Sequence, residues 1–431
     1  MAPQESERPR FARLPPGRNE RSPEETAAHQ RERLMAAMVE AVSRNGYPAT
    51  TLREVVAMAG VSNTAFYRHF DSMQDCFLTA FDEIVIRVGT KMIEAYSTQA
   101  GFPDSLRAAF DVYRQSMIAE PKETHLMLVD LISLGAEGVE RRQQVAGAFE
   151  LLISQSLTGG PSGQQISENV VRGIVGGLQR VVYRRTRDGE TARLAEEFDA
   201  LIDWALSYRH PKGIEAARLE RSRSIRAAAD RAGLGEEWDA AGTGAAGGRR
   251  ERIVRAAITV AGERGYESLS IPALTRTARI SNETFYEHFN STEDAFLAAI
   301  DLLGARLIAQ VSRARDAERG RSARIAAGLE TLLGFLAENP GLARILFVDA
   351  LAAGAPTLQR TDRMLDTLSE MFELGTTPGP DGRLLEPVVV EAIGGGPFFV
   401  VQREISEGRT TELLQLQADL TYFVLAPYAT S

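Results

Sequence analysis

The segment VSNTAFYRHF at Val61 to Phe70 returns as ISNETFYEHF at Ile280 to Phe289, displaced by 219 positions. A chance match would lose alignment within a few turns, whereas a duplication keeps it along the chain. Here the register holds. Arg31, Glu32 and Arg33 fall on Arg250, Glu251 and Arg252; Gly46 and Tyr47 on Gly265 and Tyr266; Pro121 on Pro340; Val129 and Asp130 on Val348 and Asp349. Gly176 and Gly177 meet Gly395 and Gly396, Gly189 meets Gly408, and GGPSG at 159 to 163 meets PGPDG at 378 to 382. The 431 residues therefore read as two copies of one unit of roughly 200 residues, each long enough for one or two compact domains.

Periodic apolar positions at helical spacing fill both copies and strand-like alternation is absent, so the chain is expected to be all-α. The first helix is predicted from about Glu24 to Asn45, with Leu34, Met38, Ala41 and Val42 on one face and Gly46 as its stop. Thr51 caps a short second helix, with Glu54 completing a capping box, and Gly60 ends it. Ser62 caps a third, whose inner face is Phe66 and Phe70 at i, i+4. A long helix starts near Met73, followed by helices at about 103–119, 122–135, 137–157, 166–187 and 190–208, and the second copy repeats the list. Pro272 falls in the first turn after Ser270, where a missing amide hydrogen costs little.

Composition, 44% hydrophobic and 25% charged with a formal net charge of -9, is that of a soluble globular chain, and no apolar run approaches the roughly 18 to 20 residues of a membrane span. No membrane partner is expected. Cys76, the single cysteine, cannot form an internal disulfide and reads as a core residue, so a reducing cytoplasm is the expected compartment. Residues 1–23 carry arginines 8, 10, 13, 18 and 21 against Glu20 from Arg8 on, interleaved with prolines. They read as a basic flexible arm that either lies along phosphates or is simply solvated. Residues 209–248 read as a linker with a basic helical middle (Arg218, Arg221, Arg223, Arg226, Arg231) and a Gly/Ala hinge.

Two short helices meeting at a tight turn, with apolar groups inward every fourth residue and small polar, aromatic and basic groups outward, specify a helix-turn-helix reader of DNA. Asn63, Thr64, Ala65 and Arg68 point away from the Phe66 and Phe70 face and suit base edges. Tyr67 and His69 suit phosphate oxygens, and Thr51 offers a further phosphate contact at a helix start.

The stretch TTLREVVAMAGVSNTAFYRHFDSMQDCFLTAF resembles the helix-turn-helix of the TetR family of transcriptional regulators, and the resemblance covers essentially the whole chain, twice. It implies two tandem units, each a three-helix DNA-binding domain followed by a helical ligand-binding and dimerisation domain, packed as an intramolecular pseudo-dimer. By resemblance, Ser62, Asn63, Thr64, Ala65, Tyr67, Arg68 and His69 contact a double-stranded DNA operator. The matching second positions are Ser281, Asn282, Glu283, Thr284, Tyr286, Glu287 and His288. The domains would be 24–72 and 249–291 for the heads, and 73–208 and 292–431 for the helical domains. The chain departs from the family in lacking a lysine after either recognition helix, where it has Met73 and Gln74, then Thr292 and Glu293. Glu283 and Glu287 put two carboxylates on the second reading surface. Either that head reads a cytosine-containing half-site, since a carboxylate accepts from cytosine N4, or it is kept mainly for structure.

Fusion would supply both recognition helices of a twofold reader in one chain, so the expected state is a monomer acting as its own dimer, with a homodimer of chains as the lesser alternative. The pairing helices correspond to about 166–208 and 384–428, where Gly173, Gly176, Gly177 and Gly394 to Gly396 allow close approach. A small-molecule effector is expected in the helical domain, with Tyr113, Met117, His125 and Met127 as candidate contacts, each also readable as core. Trp204 in the first copy and Phe335, Phe347, Met364 and Phe372 in the second are further candidates, equally readable as core. No cofactor or metal site is expected: the histidines at 29, 69, 125, 210 and 288 lack ligand spacing, and no catalytic arrangement is evident, which argues against an enzyme. The rival reading is a helical partner or effector-binding protein with a degenerate second head.

Overall fold

A computed structural model describes residues 22–99, 101–158, 166–208, 248–350, 353–379 and 381–428; residues 1–21 of the basic arm and 209–247 of the linker lie outside the described residues. The first copy contributes α1 (Pro23–Asn45), α2 (Leu52–Ala59), α3 (Asn63–Phe66), α4 (Met73–Ser97), α5 (Phe102–Ala119), α6 (Pro121–Leu128), α7 (Ala136–Thr158), α8 (Glu168–Arg187) and α9 (Thr191–Ser207). The second contributes α10 (Arg249–Arg264), α11 (Ile271–Ala278), α12 (Asn282–Tyr286), α13 (Thr292–Asp316), α14 (Arg321–Glu338), α15 (Pro340–Arg344), α16 (Ala355–Met371), α17 (Pro387–Ser406) and α18 (Gln417–Leu425). Among the described residues there is no strand, only an isolated bridge between Pro378 and Leu384. The starts of α2 to α8 each stand 219 positions before those of α11 to α17, so the register read from the sequence is also a register of helix starts.

Local chemistry explains those starts. Ser22 with Glu25 and Thr51 with Glu54 form capping boxes, and Ser62 and Ser72 each accept a backbone N–H three residues on. In the second copy Ser270, Ser281 and Ser291 cap in the same way. Contacts divide the chain into two compact units: Met1–Ala148 with Val182–Phe198, and Phe149–Val181 with Asp199–Ser431. In the first, α1 packs on α2, α4 and α6, and burial of Leu34, Met38, Ala41, Val55, Phe66, Phe70 and Phe77 closes a three-helix head onto α4. In the second, α10 packs on α11 and α13 over Ile253, Val254, Leu274, Phe285 and Phe296.

The second unit also holds parts of α8 and α9, where the first copy meets the second. The glycines of α8 and α17 set how closely they approach. A Cβ at Gly177 would lie 2.4 Å from the Ala392 carbonyl oxygen and 2.9 Å from Trp204; at the equivalent Gly396 it would lie 2.6 Å from the Gly173 carbonyl oxygen and 2.4 Å from Phe423. Gly176 faces Phe399 and Gly395 faces Arg180, with the added carbons at 2.5 and 2.2 Å. Because 176 and 395, 180 and 399, 173 and 392, and 204 and 423 are equivalent pairs, each contact appears twice with partners exchanged, as in a twofold interface. Tyr208 stacks on Phe423 and donates its hydroxyl to the Phe423 carbonyl oxygen at 2.8 Å.

Two expectations need correction. The helix predicted at about 122–135 ends at Leu128 and gives way to a tighter 3-10 turn at Asp130–Leu134. There Asp130 turns back, taking the His125 Nδ1 at 2.8 Å and the Tyr47 backbone N–H at 3.4 Å, and Gly135, at φ 64°, ends the turn. Among the described residues one helix, α13, is long and apolar enough to cross a membrane, although no such run was read in the sequence. Its apolar face of Phe296, Leu297, Ile300, Leu303, Leu307 and Val311 is buried, with α14 and α16 packed against the helix, which is how a core helix satisfies the same test.

Gly177→Ala is expected to destabilise the protein by roughly 1–3 kcal/mol, because the α17 backbone must retreat. Gly89→Ala in α4, where an added Cβ meets nothing within 4 Å, should stabilise by about 0.5–1 kcal/mol. Denaturant unfolding of the two variants in parallel checks the contrast.

Candidate nucleic-acid interface

The recognition surface begins with a buried lever. Phe66 and Phe70 are buried with ring centroids 5.6 Å apart, so the remaining side chains of α3 and its following turn are turned to solvent. Ser62, Asn63, Thr64, Tyr67 and Arg68 are exposed, Ala65 and His69 half-buried, and Tyr67 is 59% exposed while its ring edge rests on Phe66 at 5.4 Å. Gly60 takes the left-handed conformation (φ 61°) that lets α2 and α3 meet in a tight turn. Arg33 is buried and donates to the Ala59 carbonyl oxygen, completing the C-terminal end of α2.

Not every candidate hydroxyl is idle. Thr51 donates to Glu54 Oε2 at 2.9 Å and accepts the Glu54 N–H, and the cap holds the Glu54 carboxyl below its ordinary range. A phosphate at Thr51 must therefore compete with Glu54. The Ser62 hydroxyl accepts the Ala65 N–H at 3.1 Å and keeps its own proton to donate. His69 Nε2 lies 3.3 Å from Gln30 Oε1; burial first, then the Arg31 and Arg68 charges, lowers its pKa from 6.5.

In the second head Phe285 and Phe289 are the buried pair, and Ser281, Asn282, Glu283, Tyr286, Glu287 and His288 are exposed with Thr284 half-buried. Arg250 lies over the Phe289 ring at 5.0 Å as Arg31 lies over Phe70 at 5.5 Å. Glu287 pairs with Arg249 at 3.7 Å, which offsets part of the acidity read there. Sequence reading missed two cations, Arg276 and Arg279, both exposed on this head. Arg279 holds a left-handed backbone (φ 54°) where the first copy has Gly60. The signal was available: a side chain at a position whose counterpart is a turn glycine.

The candidate effector contacts are less unified. Tyr113 sits among Phe110 and Phe198, with ring centroids 6.5 and 6.4 Å away, and burial pushes its hydroxyl up to about 12. Met117 is buried on the same helix, Met127 is half-buried on α6, and His125 is committed to Asp130. Arg142 on α7, absent from the sequence reading, is desolvated until its guanidinium is lowered to about 10, opposed by Tyr183. Cys76 is buried in α4 and its thiol pushed well up, as for an inert core residue.

The second copy repeats the tie seen at Asp130. Asp349 accepts the Tyr266 backbone N–H and pairs with Arg344 at 3.5 Å, while Arg344 also donates to the carbonyl oxygens of Ala261 and Gly262. In each copy, then, an aspartate near the end of the sixth helix holds the loop that follows the first.

The model of bacterial regulatory proteins, tetR family, matches residues 34–80 and 253–299, two segments themselves 219 positions apart. Nucleoid occlusion factor SlmA of Vibrio vulnificus strain YJ016 is 29% identical over 181 residues, 42% of this chain and 86% of that protein. SlmA of Pasteurella multocida strain Pm70 is 32% identical over 111 residues, 26% of this chain and 56% of that protein. Among solved structures, the fatty acid degradation regulator FadR from Bacillus halodurans has TM-score 0.35 and 16% identity, covering 41% of this chain and 95% of that one. FadR from Bacillus subtilis in complex with stearoyl-CoA has TM-score 0.35 and 17% identity, covering 41% and 97%.

The folded chain protonates His69 less readily than the unfolded chain does. The contribution of this group to stability is therefore whole above pH 6.5 and is lost as the pH falls below it. His69→Gln should flatten the decline of the thermal midpoint between about pH 7 and about pH 5.5, measured by circular dichroism; an unchanged slope counts against the assignment.

Proposed function

We propose that this chain, which belongs to the tetR family of bacterial regulatory proteins twice over, is a ligand-responsive repressor that serves as its own dimer on double-stranded DNA. As a family member it is a DNA-binding regulator. Its functional division in this proposal is an arm (1–23), a head (24–72), a helical domain (73–208), a linker (209–248), a second head (249–291) and a second helical domain (292–431). The observation that carries the reading is the repeated head: a buried Phe pair turning a polar face outward, encoded twice at one register.

In the first head Asn63, Thr64, Ala65 and Arg68 read base edges, with arginine suited to guanine O6 and N7, while Ser62, Tyr67 and His69 set register on phosphates. In the second, Asn282 and Thr284 face bases, and Ser281, Tyr286 and His288 face the backbone. Arg276 and Arg279 supply there the cations missing after the recognition helix. An effector in the helical domain of the first copy, lined in part by Tyr113, Met117 and Met127 with His125 at its edge, shifts the population between DNA-competent and incompetent states. The Asp130 and Asp349 ties give such a shift a route to the heads. The rival, a helical partner protein with a degenerate second head, draws on Glu283 and Glu287.

Titration with the DNA upstream of its own gene should show selective, salt-dependent binding. Tyr67→Phe should weaken all sequences alike, and Arg68→Ala should cost about 1–3 kcal/mol and relax one position of the preferred sequence. Sedimentation should find one chain of 47.1 kDa. Binding unaffected by either head's substitutions would favour the partner protein.

Arg279→Gly separates the two readings of the second head. It relieves a left-handed arginine and should stabilise the fold by about 1 kcal/mol. It should also weaken DNA binding and reduce its salt dependence if this head meets phosphates. Higher stability with unchanged affinity would leave the second head structural.

A further inference from the structure

Inside the second unit the two copies meet with twofold geometry but not with twofold chemistry. Since equivalent positions stand 219 apart, each contact between copies also names the contact that would replace it if a copy met its own kind.

Arg172 of the first copy pairs with Glu404 of the second at 3.5 Å, and Glu404 is also held by Arg409 at 2.7 Å. The equivalent of Arg172 is Glu391, and that of Glu404 is Arg185. Two first copies would therefore set Arg172 against Arg185, and two second copies Glu391 against Glu404. Arg180, 5% exposed, donates to Asp362 at 2.9 Å and Asp366 at 3.1 Å. Their equivalents are Phe399, Gln143 and Gly147. Two first copies would bury a guanidinium opposite a glutamine and a glycine, and two second copies would set Phe399 against two carboxylates. Asp419 accepts from Ser167 Oγ at 2.6 Å and Asn169 Nδ2 at 2.8 Å; the equivalents are Ala200, Glu386 and Val388, so two second copies would bring Glu386 to Asp419. One pair runs the other way. Arg403 bonds Glu150 at 2.7 Å, and with Arg184 in place of Arg403 two first copies would keep an ion pair there. That half-buried pair does not offset Arg180, buried and left without a carboxylate.

We infer that this seam accepts only unlike copies: the face of the first copy, cationic at Arg172 and Arg180, fits the carboxylate face of Asp362, Asp366 and Glu404, and each face rejects its own kind. The inference rests on the reading of the chain as its own dimer and adds what keeps the pairing from going wrong. Rejection is the informative part, because the apolar and glycine contacts alone would serve like and unlike pairs equally.

Full-length variants test it. One chain carries Arg172→Glu with Arg180→Asp, making both faces acidic; a second carries Asp362→Arg with Glu404→Arg, making both basic; a third carries all four. Each two-substitution chain should elute earlier than wild type on size exclusion and melt at lower temperature. Mixing the two should give a particle of twice the chain mass by light scattering, since every acidic face then finds a basic one. The chain with all four changes should regain most of the wild-type elution volume and midpoint. Wild-type behaviour of either two-substitution chain, self-association of either into two-chain particles, or a third chain as damaged as the first two would overturn the inference; if the two-substitution chains fail to fold, recovery or its absence in the third still decides. A wild-type protein that sediments as two chains would sink the single-chain reading yet leave the seam's preference intact, as unlike copies would then pair between chains.

Discussion

The contact of α8 with α17 depends on a distance that side chains would prevent. At Gly177 and Gly396 the neighbouring backbone carbonyl oxygen would stand 2.4 and 2.6 Å from any Cβ, nearer than real Cβ contacts come. Removing the side chains lets Trp204, Tyr208 and Phe423 close around the crossing, so a small polar-backbone contact is sealed by large aromatic area. Glycine in mid-helix costs about 1 kcal/mol each in intrinsic propensity. That such residues stand in the interior of both helices is accounted for by packing, since their neighbours occupy the space a methyl group would need.

Much of this was legible beforehand. Caps at Thr51, Ser62, Ser72, Ser281 and Ser291 are encoded within four residues, and the Phe66/Phe70 spacing fixes which face of α3 is buried, so the heads follow from local chemistry. The duplication then doubled the evidence for the starts of α2 to α8. What the sequence could not disclose depends on partners distant along the chain. The break after Leu128 arises because Asp130 reaches Tyr47, 83 residues away, and no helical period records that. Arg180 reads as one more solvated arginine until Asp362 and Asp366 are set beside it. For the same reason the Arg249 partner of Glu287 went unread, because the two meet only in three dimensions. The candidate effector contacts suffered most: spacing placed Tyr113 and His125 on neighbouring helices but not that one belongs to an aromatic cluster and the other to an aspartate.

For the proposed response to a ligand, the aspartate tie is the link between the helical domain and the head. A head packed on α4 through apolar surface alone could rock with little penalty. A backbone amide at Tyr47 or Tyr266 held by a buried carboxylate fixes the loop after the first helix to the end of the sixth. Any rearrangement that moves α6 or α15 must either carry the head along or break that bond, so the tie converts packing in the helical domain into orientation of the recognition surface.

In an assembly of identical subunits every mutation near the axis arrives twice and must be tolerated in both settings at once. Arg180 facing Gly395 while Phe399 faces Gly176 is an arrangement that such an assembly cannot reach in one mutational step, nor keep once reached. Separate encoding of the two halves lifts that restriction, and it lifts it for the heads as well. Under the proposed function, one recognition surface can drift toward a new preference while the other holds the old, which would extend the DNA targets of such a chain beyond palindromes.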